Sequence, residues 1–147
     1  TGDLKFYNKE VRVLIRFHPN VDNTFFKNDD ERLINVTDYP DPQDLMFAAD
    51  IMISDYSSAP IDFMLLNRTI FLYMPDYEEY TKLRPLNPNF NNLPFIKCYT
   101  NLELVEQISR FSKMDYHECI DDYKLKNRRF DDGDAARKCA EWIVNQL

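Results

Sequence analysis

Glycine is almost absent: Gly2 and Gly133 are the only two in 147 residues. That excludes a glycine-rich phosphate loop of either the P-loop or the dinucleotide kind, because both need several glycines to bring backbone amides against phosphate. Histidine is as scarce, with His18 and His117. The three cysteines, Cys98, Cys119 and Cys139, are far apart and form no CxxC pair. Reduced structural thiols are expected, and a Cys/His zinc site is not. Positive charge is in deficit: 18 Lys+Arg against 25 Asp+Glu give a formal charge of −7. A nucleic-acid face wants a basic stripe, so no nucleic-acid partner is expected. The one basic cluster, Lys124, Lys126, Arg128 and Arg129, reads as a solvated helix end. No stretch reaches the ~18 apolar residues that a membrane-spanning helix needs.

What is present is a well-stocked core. Hydrophobic residues make up 44% and aromatics 14%, enough for a globular fold and a single domain over residues 1–147. The chain begins Thr1-Gly2-Asp3 without a Met and is expected to be a piece of something longer. Apolar, β-branched runs predict strands over 11–17, 33–36, 51–54, 70–74 and 95–99. Between them, helical spacing and caps predict helices over 42–49 (Asp41 as cap, Pro42 first), from 61 onward, and over 77–83. Thr100 and Glu103 form a capping box for a helix carrying Leu104, Val105, Ile108 and Phe111 on one face. A weaker helix follows over 115–126, and Asp134 caps a last one. Strands alternating with helices mean a doubly wound parallel sheet of about five strands with helices on both faces, a Rossmann-like α/β layer.

In such sheets ligands sit beyond the carboxyl ends of the strands. The polar motifs fall there. His18 and Asn20 follow the first strand; Thr37, Asp38, Tyr39 and Asp41 follow the second; Asp55, Tyr56, Ser57 and Ser58 follow the third; Asp76 follows the fourth. The Ser-rich turn at 54–58 opens a helix directly, with Ser58 as a candidate N-cap and Pro60 in the first turn. Free amides and serine hydroxyls at a helix mouth can hold a phosphate, although many α/β proteins use such a turn for capping alone. Asp55 fits best as an acceptor for the amides of its own turn. A Mg²⁺ bridging Asp55 to phosphate would need a second carboxylate, and none is clearly placed for it, so no metal or other cofactor is assigned. On the residues alone, His18 is as readily a turn histidine as a phosphate ligand.

The segments RFHPN (16–20), TDYPD (37–41), LMFAADIMISDYSSAPIDFMLL (45–66) and FLYMPDYEEY (71–80), with LPF at 93–95 and DDGDAARK at 131–138, resemble the CDP-glycerol glycerophosphotransferase family. Those enzymes build teichoic acids and related phosphate-linked surface polymers. The likeness runs over roughly 11–145. It implies a GT-B-type fold of two Rossmann-like halves, of which this chain is the C-terminal, donor-binding half, the N-terminal acceptor half being absent. The implied reaction moves a polyol phosphate, such as glycerol phosphate, from a CDP-alcohol to a hydroxyl of a growing lipid-linked polymer and releases CMP. By the same resemblance His18 lies near the donor diphosphate as the catalytic donor. Ser57 and Ser58, with Asp55 and Tyr56, face the phosphates. The 37–41 loop lies near cytidine and ribose, and Asp76, Tyr80 and Arg84 complete the binding set.

The chain departs from the family at Pro60, which removes an amide from the helix mouth, at Thr69, and at Pro85-Leu86 after Arg84. Alone, it is expected to bind a CDP-alcohol or CMP weakly and to catalyse nothing. The whole protein is expected in the cytoplasm, peripheral on the inner face of the cell membrane. Two other classes remain open. A sugar-nucleotide glycosyltransferase of GT-B type would prefer uridine or guanosine donors. A receiver-like module would need an acidic pair after the first strand, where Phe17-His18 stands.

Overall fold

The computed structural model describes residues 11–18, 20–111, 113–127 and 133–146. Arg128 and Arg129 of the basic cluster, and the first two residues of the 131–138 segment, lie outside the described residues. The chain divides into two compact units, Thr1–Ala49 and Asp50–Leu147.

The first unit holds a two-stranded parallel pair, β1 (Val13–Ile15) with β2 (Leu33–Asn35), in register Val13↔Leu33 and Ile15↔Asn35. Flanking backbone bonds extend the ladder: Val13 N–H to Arg32 O at 2.7 Å and Val36 N–H to Ile15 O at 2.9 Å. Behind β1 the Phe17 ring meets Phe25 and Phe26 edge-on at 5.7 and 5.6 Å. Helix α1 (Pro42–Ala48) starts as the sequence predicts: Asp41 accepts the Gln43 N–H at 2.8 Å, and Pro42 stands in the first turn. None of this unit's described residues is fully buried.

The second unit holds the core. Its sheet is parallel in the order β3 (Ile51–Ser54), β4 (Thr69–Tyr73), β5 (Ile96–Cys98). The central strand β4 is buried from Thr69 to Leu72, as a parallel strand covered on both faces must be. Phe63, Met64, Phe71, Leu72, Met74 and Ile120 pack there with almost no exposed surface. Each such side chain contributes roughly 1.5–3 kcal/mol. Short helix α2 (Ala59–Phe63) runs into a 3₁₀ turn, Met64–Leu66, and stops at Asn67, whose φ of 52° is left-handed. Asn tolerates that conformation better than most side chains. Helices α3 (Tyr77–Leu83), α4 (Asn101–Arg110), α5 (Lys113–Lys126) and α6 (Ala135–Val144) follow.

The capping box on α4 forms in full: Glu103 N–H donates to Thr100 Oγ1 at 3.2 Å, and Glu103 Oε2 accepts the Thr100 N–H at 3.2 Å. Of the predicted stripe on α4, Ile108 is buried while Val105 stays about half exposed. From α5, Tyr116 and Ile120, one turn apart, enter the core. The Tyr116 hydroxyl accepts the Ile70 N–H at 3.0 Å, and burial pushes its phenol pKa up.

The α/β class with parallel strands is therefore as expected. The five described strands hydrogen-bond as a pair and a triplet, and most are shorter than their apolar runs.

Candidate functional site

In the first unit the polar residues after β1 and β2 lock onto one another. His18 is exposed, and its Nδ1 accepts the Asn20 N–H at 3.2 Å. An accepting Nδ1 carries no proton, so in the neutral ring the proton is on Nε2, which is left as a donor. Thr37 Oγ1 accepts the Phe17 N–H at 3.2 Å, and the Thr37 N–H is held by Asn35 Oδ1 at 3.0 Å. Arg16, which sequence reasoning did not single out, reaches from the end of β1 to the loop after β2. Its Nη1 donates to Tyr39 O at 2.6 Å and to Val36 O at 3.4 Å. The only sequence signal was its place in the RFHPN segment.

The predicted residues of the 37–41 loop thus divide by role. Asp41 spends one carboxylate oxygen on capping α1. The Tyr39 hydroxyl donates to Asp44 Oδ2 at 3.1 Å, and that bond raises the phenol pKa. Asp38 is exposed.

In the second unit the Ser-rich turn is built as a chain of local bonds. Asp55 Oδ1 accepts the Ser57 N–H at 3.1 Å, the role expected for it. Ser57 Oγ then accepts the Ala59 N–H at 3.2 Å. Ser58 stands at the N-cap position, but its side chain makes no cap bond. This corrects the expectation that Ser58 caps the helix. Its backbone is already helical (φ −80°, ψ −15°), and a capping side chain needs extended backbone to turn back onto the first amides. The helix mouth is also poorer in amides than the motif promised. Ala59 N–H is taken by Ser57, Pro60 has none, and Ile61 N–H bonds Ser58 O at 2.9 Å. With α2 only five residues long, little dipole accumulates. What remains for an anion includes the exposed hydroxyls of Ser57 and Ser58, each still able to donate its proton.

Tyr56, Asp76 and Tyr80 come together. The Tyr56 ring stacks on Tyr80, with centroids 3.6 Å apart and planes within 8°, and Phe90 lies 6.4 Å away. The Tyr56 hydroxyl donates to Asp76 Oδ1 at 2.9 Å. Burial first, then the Asp76 bond and charge, push the Tyr56 phenol pKa well up. Arg84 closes α3: its N–H bonds Tyr80 O at 2.8 Å, and its side chain is exposed. Among the described residues no three His, Cys, Asp or Glu gather closely enough to hold a metal ion.

The family model described as CDP-Glycerol:Poly(glycerophosphate) glycerophosphotransferase matches residues 4–145. The chain is 29% identical over 141 residues to the teichoic acid glycerol-phosphate primase of Bacillus subtilis (strain 168), covering 95% of this chain and 36% of that protein. It is 33% identical over 78 residues to the teichoic acid ribitol-phosphate primase of Bacillus spizizenii, covering 53% of this chain and 20% of that one. Among solved structures, the wall teichoic acid polymerase TagF soaked with CDPG superposes with a TM-score of 0.75 at 26% identity, covering 95% of this chain and 35% of that chain. The chain thus spans about a third of the length of the glycerol-phosphate primase and of TagF.

Proposed function

This chain belongs to the CDP-glycerol:poly(glycerophosphate) glycerophosphotransferase family, and from that premise we propose that it is the donor-binding part of a transferase. The enzyme moves glycerol phosphate from CDP-glycerol to a hydroxyl of a growing teichoic-acid-like polymer. The acceptor oxygen attacks the phosphorus nearest the glycerol, the bond from that phosphorus to the bridging oxygen breaks, and CMP leaves. Negative charge grows on the leaving phosphate, so donors aimed there lower the barrier. His18 is the donor we assign, through Nε2. The observation that carries this is its Nδ1, already committed to the Asn20 N–H. Ser57 and Ser58 hold phosphate oxygens through their hydroxyls, and Asp38, Tyr39 and Asn20 border the nucleoside. Arg84 completes the donor-binding set.

The base for the acceptor hydroxyl belongs to a preceding, acceptor-binding part of the same protein, and the acceptor is lipid-linked. That places the whole enzyme at the inner face of the membrane. No helix among the described residues is long and apolar enough to cross it. No cofactor is assigned. CDP-ribitol is the second donor to test, because one relative is a ribitol-phosphate primase.

The test is a titration of the chain with CMP, CDP-glycerol, CDP-ribitol, UDP-glucose and GDP-mannose, read by amide NMR. Cytidine ligands alone should shift residues 37–41 and 55–61, with the same affinity in EDTA as in Mg²⁺. His18→Ala should weaken CDP-glycerol binding roughly tenfold, as for one hydrogen bond to a charged group, without changing the melting temperature. Shifts with UDP-glucose or GDP-mannose instead would move the protein to the sugar-nucleotide glycosyltransferases.

A further inference from the structure

Asp76 stands at the N-cap of α3, a position where a carboxylate ordinarily accepts an amide of the first helical turn. Here it makes no such bond. Its Oδ1 takes the Tyr56 hydroxyl at 2.9 Å, from a residue twenty positions earlier in the chain. Tyr56 is itself fixed by the flat stack on Tyr80, at 3.6 Å and 8°. One ring therefore joins the turn after β3 to the turn after β4, and the carboxylate is held away from its own helix. Asp76 is exposed, and its second oxygen, Oδ2, makes no hydrogen bond among the described residues.

We infer that Tyr56 is a positioning residue: by holding Asp76 Oδ1 it presents Asp76 Oδ2 to a hydroxyl of the donor's alcohol, so that Tyr56 and Asp76 together select a hydroxyl-bearing alcohol over a plain alkyl one. The inference rests on the proposed CDP-alcohol reading and deepens it by naming what recognises the alcohol. A carboxylate can only accept, and an alcohol hydroxyl is a donor it can satisfy. A ligand without that hydroxyl offers Oδ2 nothing to accept, so the complex forgoes one charge-assisted hydrogen bond. The Tyr56 phenol, with its pKa pushed up by burial and by Asp76, stays protonated and keeps donating across the neutral range.

The experiment is calorimetric binding of CMP, CDP-glycerol and CDP-propanol to the 147-residue chain and to its Tyr56→Phe, Asp76→Asn and double variants. Tyr56→Phe keeps the ring and its stack, so the fold should hold, with an unchanged melting temperature. The wild type should prefer CDP-glycerol to CDP-propanol by roughly tenfold, the scale of one hydrogen bond to a charged group. Each single variant should bring that preference close to one, with CMP affinity falling by less than the affinity for CDP-glycerol, and the double variant should lose nothing more. Undiminished preference in Tyr56→Phe would overturn the inference. So would a loss equal for CMP and both diphosphates, which marks a merely structural role. A wild type that binds no cytidine ligand would overturn the donor reading and this inference with it.

Discussion

Arg32 donates to the Asp30 carboxylate from Nε at 2.9 Å and Nη2 at 2.6 Å, and its backbone N–H adds a bond at 3.0 Å. The side-chain bonds are the main reason the Asp30 carboxyl is held down at about 2. In an unfolded chain the same group titrates near ~3.9. The folded value is the lower one, so this pair favours the folded state above about pH 4 and loses its contribution as pH falls through about 2. A carbon-13 titration should find a midpoint for Asp30 at about 2, and Arg32→Gln should bring it up toward ~3.9. An unmoved midpoint in that variant would assign the effect to the turn alone. Residues of this kind are legible in sequence because both partners sit within a few positions. Asp41 and Asp55 are legible for the same reason: each accepts an amide two residues on. Ser58 departs from its type because its backbone angles, not its side chain, decide whether it can cap. Arg16 and Tyr56 have partners about twenty residues away, and no local pattern announces those.

Helix α4 is the element whose start is most completely specified by four letters. Thr100→Ala removes the acceptor for Glu103 N–H and should cost about 1 kcal/mol, measured as a lower urea midpoint with an unchanged slope. Glu103→Ala should cost a similar amount. The double variant should cost less than the sum, because both side chains serve one cap. Strand lengths were less legible. The apolar run at 11–17 becomes the three residues of β1, since a strand extends only as far as its partner does, and β2 is itself three residues long. The helix after the Ser-rich turn does run to the end of its apolar segment at Leu66, but from Met64 it tightens into a 3₁₀ turn and is ended by the left-handed Asn67, a backbone choice that apolar periodicity does not encode.

At the scale of the molecule, burial is unevenly shared. Among the described residues, every one in the hydrophobic core belongs to the second unit, while the first rests on a two-stranded pair, and such pairs are marginal by themselves. Residues 50–147 made alone should therefore unfold cooperatively in urea, and residues 1–49 alone should show no transition by circular dichroism. A broad, non-cooperative melt of 50–147 would contradict this. The sequence conveyed the α/β class and the order of its elements, because period and turn chemistry are local. It did not convey that the strands pair as two and three, because pairing joins segments the pattern treats alike. It also placed the candidate binding residues just beyond a strand or at the start or end of a helix, where the fold leaves polar groups accessible, with the exception of Tyr80 in the middle of α3. The Ile70 amide in β4 is closed by the Tyr116 hydroxyl of α5, so its exchange with deuterium requires that helix to lift away. Its rate, set against those of neighbouring β4 amides, reports how often α5 detaches while the sheet stays intact.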